Sequence, residues 1–118
     1  MIKGIGIDLI ELERINKIIM RNDRFVQRIL TEKEQLELAS YKHEARRIEF
    51  IAGRFAAKEA VGKALGTGIG KVSFQDIEIS RTDQGAPQIS VSGYEHLHIW
   101  LSISHSRDHA IAQVVLEE

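Results

Sequence analysis

Three side chains in this sequence have types and spacing suited to phosphate chemistry: Asp8, Glu59 and Lys63. Glu59 and Lys63 stand four residues apart in GRFAAKEAVGKALGTGIG, residues 53–70. On a helix that spacing is one turn with the acid first, the better orientation for pairing. With Ile48 set at zero and about 100° per residue, Ala52, Phe55, Glu59 and Lys63 fall within roughly 80° of one another. Glu59 and Lys63 are therefore expected among apolar neighbours. Arg47, Arg54 and Lys58 group on another side, which makes Lys58 an expected surface charge. The Glu59–Lys63 spacing suits a structural salt bridge on a half-buried face. It also suits a carboxylate that holds a metal and a lysine that meets an anion one turn later.

Two neighbouring features bear on that choice. The run ends in Gly66-Thr67-Gly68-Ile69-Gly70, and glycines let a backbone approach phosphate closely and present N–H groups. A flexible cap and turn would use the same residues. Asp8 closes a glycine-bearing strand, where a carboxylate serves as a metal ligand or as a helix N-cap. Two carboxylates with waters and substrate phosphates are a usual way to hold Mg²⁺. His105 ends the apolar row Ile99, Leu101, Ile103 at a turn. It suits a structural role, or a phosphate or proton-transfer contact at a sheet edge.

A second constellation is basic. Arg14, Lys17, Arg21, Arg24 and Arg28 follow a 3-4-3-4 spacing. On one continuous helix all five fall within about 80°. The formal net charge is only −1, so this stripe would be a local positive patch. It is either a solvated face or a surface for an acidic protein partner. Nucleic acid fits less well, because the stretch lacks interleaved aromatics.

These residues need elements to position them. Ile5, Ile7 and Leu9 alternate with Gly4, Gly6 and Asp8, which reads as a strand with close backbone approach on the glycine side. Helical periodicity runs from Glu11 to Leu30, with Asn22-Asp23 a possible break. Thr31-Glu-Lys-Glu34 is a capping box that opens a helix to about Tyr41. A longer helix is expected from about Glu44 to Leu65, with Gly66 as its stop. Strands follow at Ile77 and Ile79, Gln88 to Ser92, His98 to His105 and Ala110 to Leu116, with a turn at Thr82–Gly85. Helices first and strands later favour α+β, as one small domain over residues 1–118. The absence of cysteine excludes disulfides and cysteine nucleophiles. MIKGIGIDLIELERI has no long apolar run, so neither a signal peptide nor a membrane span is expected, and a cytoplasmic location is.

The assembled motifs resemble those of the bacterial holo-(acyl-carrier-protein) synthases, a 4′-phosphopantetheinyl transferase family. The markers are Ile5-Gly6-Ile7-Asp8, Phe55-Ala56-Ala57-Lys58-Glu59-Ala60-Val61-Gly62-Lys63 and Gly66-Thr67-Gly68. Gly85-Ala86-Pro87 and Ser102-Ile103-Ser104-His105-Ser106 add to them. The resemblance implies a long helix packed on an antiparallel sheet. It implies transfer of phosphopantetheine from coenzyme A to a carrier-protein serine, releasing adenosine 3′,5′-bisphosphate, in support of fatty acid biosynthesis. Asp8 and Glu59 would hold Mg²⁺, with Glu59 and Lys63 catalytic. Arg46, Arg47, Arg54, Lys63, Gly66, Gly68, Pro87 and His105 would contact coenzyme A. The acidic carrier would dock on Arg14, Lys17, Arg21, Arg24, Phe25 and Arg28. The family is trimeric, with coenzyme A between neighbouring subunits. No nucleic acid or membrane partner is implied. Against it stand a Mg²⁺-dependent nucleotide pyrophosphatase and a non-catalytic adaptor. The first has no use for the stripe, and the second has none for Asp8 with Glu59.

Overall fold

A computed structural model describes residues 1–118. The elements run β1 (Ile2–Glu11), α1 (Leu12–Arg21), α2 (Phe25–Ile29), α3 (Glu32–Ala39) and α4 (Glu44–Leu65). A short 3-10 turn (Phe74–Asp76) leads into β2 (Ile77–Arg81), β3 (Pro87–Val91), β4 (His98–His105) and β5 (His109–Glu117). The architecture is α+β. β1, β5 and β4 form an antiparallel sheet in that order, and β2–β3 is a separate hairpin.

Strand alternation sets the two faces of the main sheet. Asp8 lies opposite Ala112, which lies opposite Ile103; Ile10, Ala110 and His105 make the next row. This face carries α4. The glycines of β1 let the helix lie directly on the strand. A Cβ on Gly4 would sit 2.1 Å from the Ala64 carbonyl oxygen, and one on Gly6 would sit 2.0 Å from that of Ala60. Ala60 and Ala64 are the small residues that meet them. The opposite face is apolar yet uncovered: Ile5, Ile7, Leu9 and Trp100 are all more than half exposed.

The local signals hold. Thr31 caps α3 with a complete capping box, and Gly66 ends α4 in the left-handed conformation at φ 77°. Gly85, at φ 85°, closes the β2–β3 turn. The chain breaks at Asn22, where Oδ1 accepts the Arg24 N–H at 3.0 Å. The five cations therefore occupy two helices and the joint between them rather than one continuous helix. All five remain exposed.

Three residues lie elsewhere than expected. Lys58 is wholly buried, not a surface charge. Helix α4 has the sheet on one side and α2, α3 and the 3-10 turn on the other, so the side opposite the sheet is interior too. Phe25 is also buried, with its ring centroid 5.8 Å from that of Phe55. It packs the core beneath the basic face and is not offered to a partner. Arg47 turns to α3, donating to the carbonyls of Leu38 at 2.9 Å and Tyr41 at 3.2 Å. It satisfies the carbonyl-rich end of that helix.

Candidate active site

Asp8 projects from the middle of β1 toward α4, where Glu59 and Lys63 lie on the open strip of the helix. Lys63 does not pair with Glu59. Its Nζ donates to Asp8 Oδ1 and to the Ile7 carbonyl, both at 3.0 Å. The lysine thus clamps helix to strand while its side chain stays 54% exposed. Glu59 holds its proton more tightly than an ordinary glutamate. Partial burial is the main cause and the Asp8 carboxylate adds to it, while Lys63 opposes both. Asp8 and Glu59 side by side are the kind of donor set that suits a hard divalent cation. No group of three or more His, Cys, Asp or Glu forms a complete metal cage. A cation here would keep sites for water or phosphate.

A second anion-seeking place lies between the first half of α4 and the sheet. It is a hollow of about 170 Å³ lined by Arg46, Arg54, Arg81, Glu49, Pro87 and His105, among others. Arg54 is buried, and its Nε and Nη2 have no hydrogen-bond partner. Burial lowers its proton affinity; Glu37, with Oε1 3.5 Å from Nη2, offsets part of that loss. The Glu37 carboxylate also meets Arg81 Nε at 3.5 Å and accepts from the Tyr41 hydroxyl at 2.8 Å. Arg46 covers the Tyr41 ring at 4.4 Å. A buried guanidinium with unmet donors is a standing attraction for an anion. His105 Nδ1 lies 3.5 Å from Glu49 Oε2. The same histidine lines a second depression with Leu9 and Ile111 of the uncovered sheet face.

The structure therefore groups Asp8, Glu59 and Lys63 in one place, and Arg46, Arg54, Pro87 and His105 in another. Arg47 belongs to neither. Gly66, Gly68 and Gly70 do not present free donors. Their N–H groups go to the carbonyls of Lys63, Gly62 and Val72 at 3.1, 3.0 and 3.2 Å. What that loop offers is close approach, because nothing lies within 4 Å of a Cβ at any of the three. Sequence patterns do not single out Arg81 or Glu37. Arg81 was within reach, since it continues the inward alternation of Ile77 and Ile79. Glu37 was not, because only the meeting of α3 with β2 and α4 gives it a role.

Comparison with known proteins identifies the family. Residues 4–114 match the 4′-phosphopantetheinyl transferase superfamily. The holo-(acyl-carrier-protein) synthase of Oceanobacillus iheyensis is 59% identical over 117 residues, 99% of this chain and 98% of that protein. A Staphylococcus aureus protein of the same name is 50% identical over 119 residues, 100% of this chain and 98% of its own. A holo-(acyl-carrier-protein) synthase from Bacillus anthracis, crystallised in complex with CoA (3′,5′-ADP), superposes with a TM-score of 0.91. It is 55% identical and covers 99% of this chain and 97% of that one. The Helicobacter pylori enzyme in complex with coenzyme A gives 0.83 at 39% identity, over 96% and 99%. With the match running from β1 through β5, the chain belongs to the 4′-phosphopantetheinyl transferase superfamily.

Proposed function

We propose that this protein transfers the 4′-phosphopantetheine group of coenzyme A to a serine of an acyl carrier protein, as a holo-(acyl-carrier-protein) synthase. The observation that carries the reading is the Asp8–Lys63 contact beside Glu59, in a chain this similar to enzymes of that name. The serine oxygen forms a bond to the phosphorus that bears pantetheine. The bond from that phosphorus to the bridging oxygen breaks, and its electron pair leaves with adenosine 3′,5′-bisphosphate. The serine proton is taken up by a base, for which Glu59 is positioned to act directly or through a water. Lys63, held by Asp8 and the Ile7 carbonyl, would meet the negative charge that builds on the leaving phosphate. Asp8 and Glu59 are the residues that would hold Mg²⁺, which when bound neutralises pyrophosphate charge. Arg46, Arg54, Arg81, Pro87 and His105 would take the phosphate-bearing nucleotide end, with Gly66 and Gly68 allowing close approach.

The nucleophile comes from the partner, so docking matters as much as chemistry. The exposed cations Arg14, Lys17, Arg21, Arg24 and Arg28 supply a face for an acidic carrier. The uncovered Ile5, Ile7, Leu9 and Trp100 supply a face for further copies of the chain. A homotrimer that buries this face would bring a neighbour to the depression behind His105 and so set active sites at subunit interfaces. No helix is long and apolar enough to cross a membrane, and the proposed place of action is the cytoplasm. The test is to incubate the protein with coenzyme A, Mg²⁺ and apo carrier protein and weigh the carrier. A mass gain of one phosphopantetheine is expected. Release of adenosine 3′,5′-bisphosphate with an unmodified carrier would mark a pyrophosphatase instead.

A further inference from the structure

Helix α2 is only five residues long, too short to hold itself together in water. Its C-terminal carbonyls would be left without partners inside the helix. The Val26 carbonyl accepts the Leu30 N–H at 2.9 Å, and those of Gln27 to Leu30 are met by side chains from other parts of the chain. The single Nε2 of Gln75, in the 3-10 turn before β2, lies 3.0 Å from the carbonyl of Gln27, 3.1 Å from that of Arg28 and 2.8 Å from that of Leu30. The carbonyl between them, Ile29, accepts from Lys58 Nζ at 2.7 Å. Lys58 also donates to the Phe74 carbonyl at 3.0 Å, next to Gln75. The Leu30 carbonyl also accepts from Gln35 Nε2 of α3 at 3.0 Å, so the Gln27 and Arg28 carbonyls depend on Gln75 and the Ile29 carbonyl on Lys58, whose cation sits at the negative pole of the helix.

Arg24 and Arg28 are carried by this same short helix, at its N-cap and its last turn. Because the chain breaks at Asn22, helical continuity does not align them with Arg14, Lys17 and Arg21. We infer that Gln75 and Lys58 are positioning residues for carrier binding: by capping α2 they hold Arg24 and Arg28 in one surface with the cations of α1. This rests on the docking reading above. Gln75 is the cleaner of the two to test, since it is exposed and its side-chain hydrogen bonds all go to α2 and the residue after it.

The experiment compares Gln75→Met, which keeps length and loses both donors, with Arg28→Glu. KM for apo carrier and for coenzyme A is measured on each full chain, with amide hydrogen exchange across residues 25–30. Gln75→Met is expected to raise the carrier KM about three- to ten-fold, the range set by the loss of a hydrogen bond or so. The coenzyme A KM should stay within about two-fold, and α2 amides should exchange faster. If Arg28→Glu raises the carrier KM and Gln75→Met does not, the positioning role is wrong while the docking face stands. If Arg28→Glu leaves the carrier KM unchanged, the docking face itself is wrong and the inference falls with it. A Gln75→Met defect shared equally by both substrates would make the amide merely structural and also overturn the proposal.

Discussion

Lys58 and Glu59 are neighbours in the chain and opposite in circumstance. Lys58 Nζ is wholly enclosed, and it is kept charged by Glu34 Oε1 at 2.6 Å and the carbonyls of Ile29 and Phe74. Burial lowers its proton affinity and Glu34 opposes that. Glu34 is equally committed, accepting the N–H groups of Thr31 and Ile79 at 2.8 Å each. Five segments therefore meet at one ion pair. Lys58→Met leaves a buried carboxylate uncompensated, and should lower the unfolding free energy by about 3–5 kcal/mol. Urea denaturation checks this; a loss under about 1 kcal/mol would show that water reaches the site. Lys63→Ala should behave in the opposite way, with stability nearly kept and kcat down about 10²-fold. Glu59 adds a pH test. Its proton affinity is raised by folding, so its ionisation works against the folded state. The penalty is absent in acid, where the group is protonated both folded and unfolded, and develops as pH rises through the raised value. In metal-free buffer Glu59→Gln should melt above the parent protein at neutral pH and converge with it in acid, while losing transfer activity. A Gln variant that melts lower at neutral pH would mean that Lys63 outweighs Asp8 and burial.

At the scale of elements, α4 shows both what was legible and what was not. Its Gly66 stop and the capping box of α3 follow from local chemistry, and the sequence displays local chemistry directly. The glycine face of β1 announced a close neighbour, and α4 is that neighbour. The wet side of α4 was not legible. Helical periodicity assumes one core face and one solvent face, whereas here the far side of the helix packs on α2, α3 and the 3-10 turn. Lys58 therefore lies inside rather than outside, and on the other strip Glu59 is half-buried, as its apolar neighbours imply, while Lys63 is exposed. Arg47 and Phe25 were misread for a related reason, since type and spacing do not reveal which carbonyl or ring lies opposite. Gly62 is another such case. A Cβ there would sit 2.9 Å from the Gly68 carbonyl carbon and 3.0 Å from the Ile69 nitrogen, backbone atoms that cannot swing aside. In an unobstructed helix Gly→Ala gains about 1 kcal/mol. Gly62→Ala should forgo that gain, shift the Gly66–Gly70 loop and weaken coenzyme A binding, with carrier KM unchanged. Calorimetric titration with coenzyme A reads the effect; a variant that is more stable and binds as tightly would place the loop outside the nucleotide site.

The whole molecule presents two contrasting surfaces, an apolar sheet face and a cationic helical face, on a chain of net charge −1. The apolar face is larger in consequence than its four side chains suggest, because β1 is also an edge strand. Leu9→Asp should break the proposed trimer into monomers by sedimentation and reduce transfer; a monomeric parent protein would remove the basis of that expectation. The cationic face tests differently, since its attraction acts at range. Screening sets in over about 8 Å at physiological ionic strength, so kcat/KM for the carrier should fall as salt rises. Reversing Arg14 and Arg21 to Glu removes two cations from α1 and leaves the Asp8–Glu59–Lys63 group and the arginine hollow untouched. The double variant should therefore show a higher carrier KM, a flatter salt dependence and nearly normal coenzyme A affinity. All five side chains are exposed, so the reversal leaves core packing alone, and a change in the salt slope of kcat/KM reads docking. Equal slopes for the two proteins, or a defect confined to coenzyme A, would return the stripe to an ordinary solvated surface.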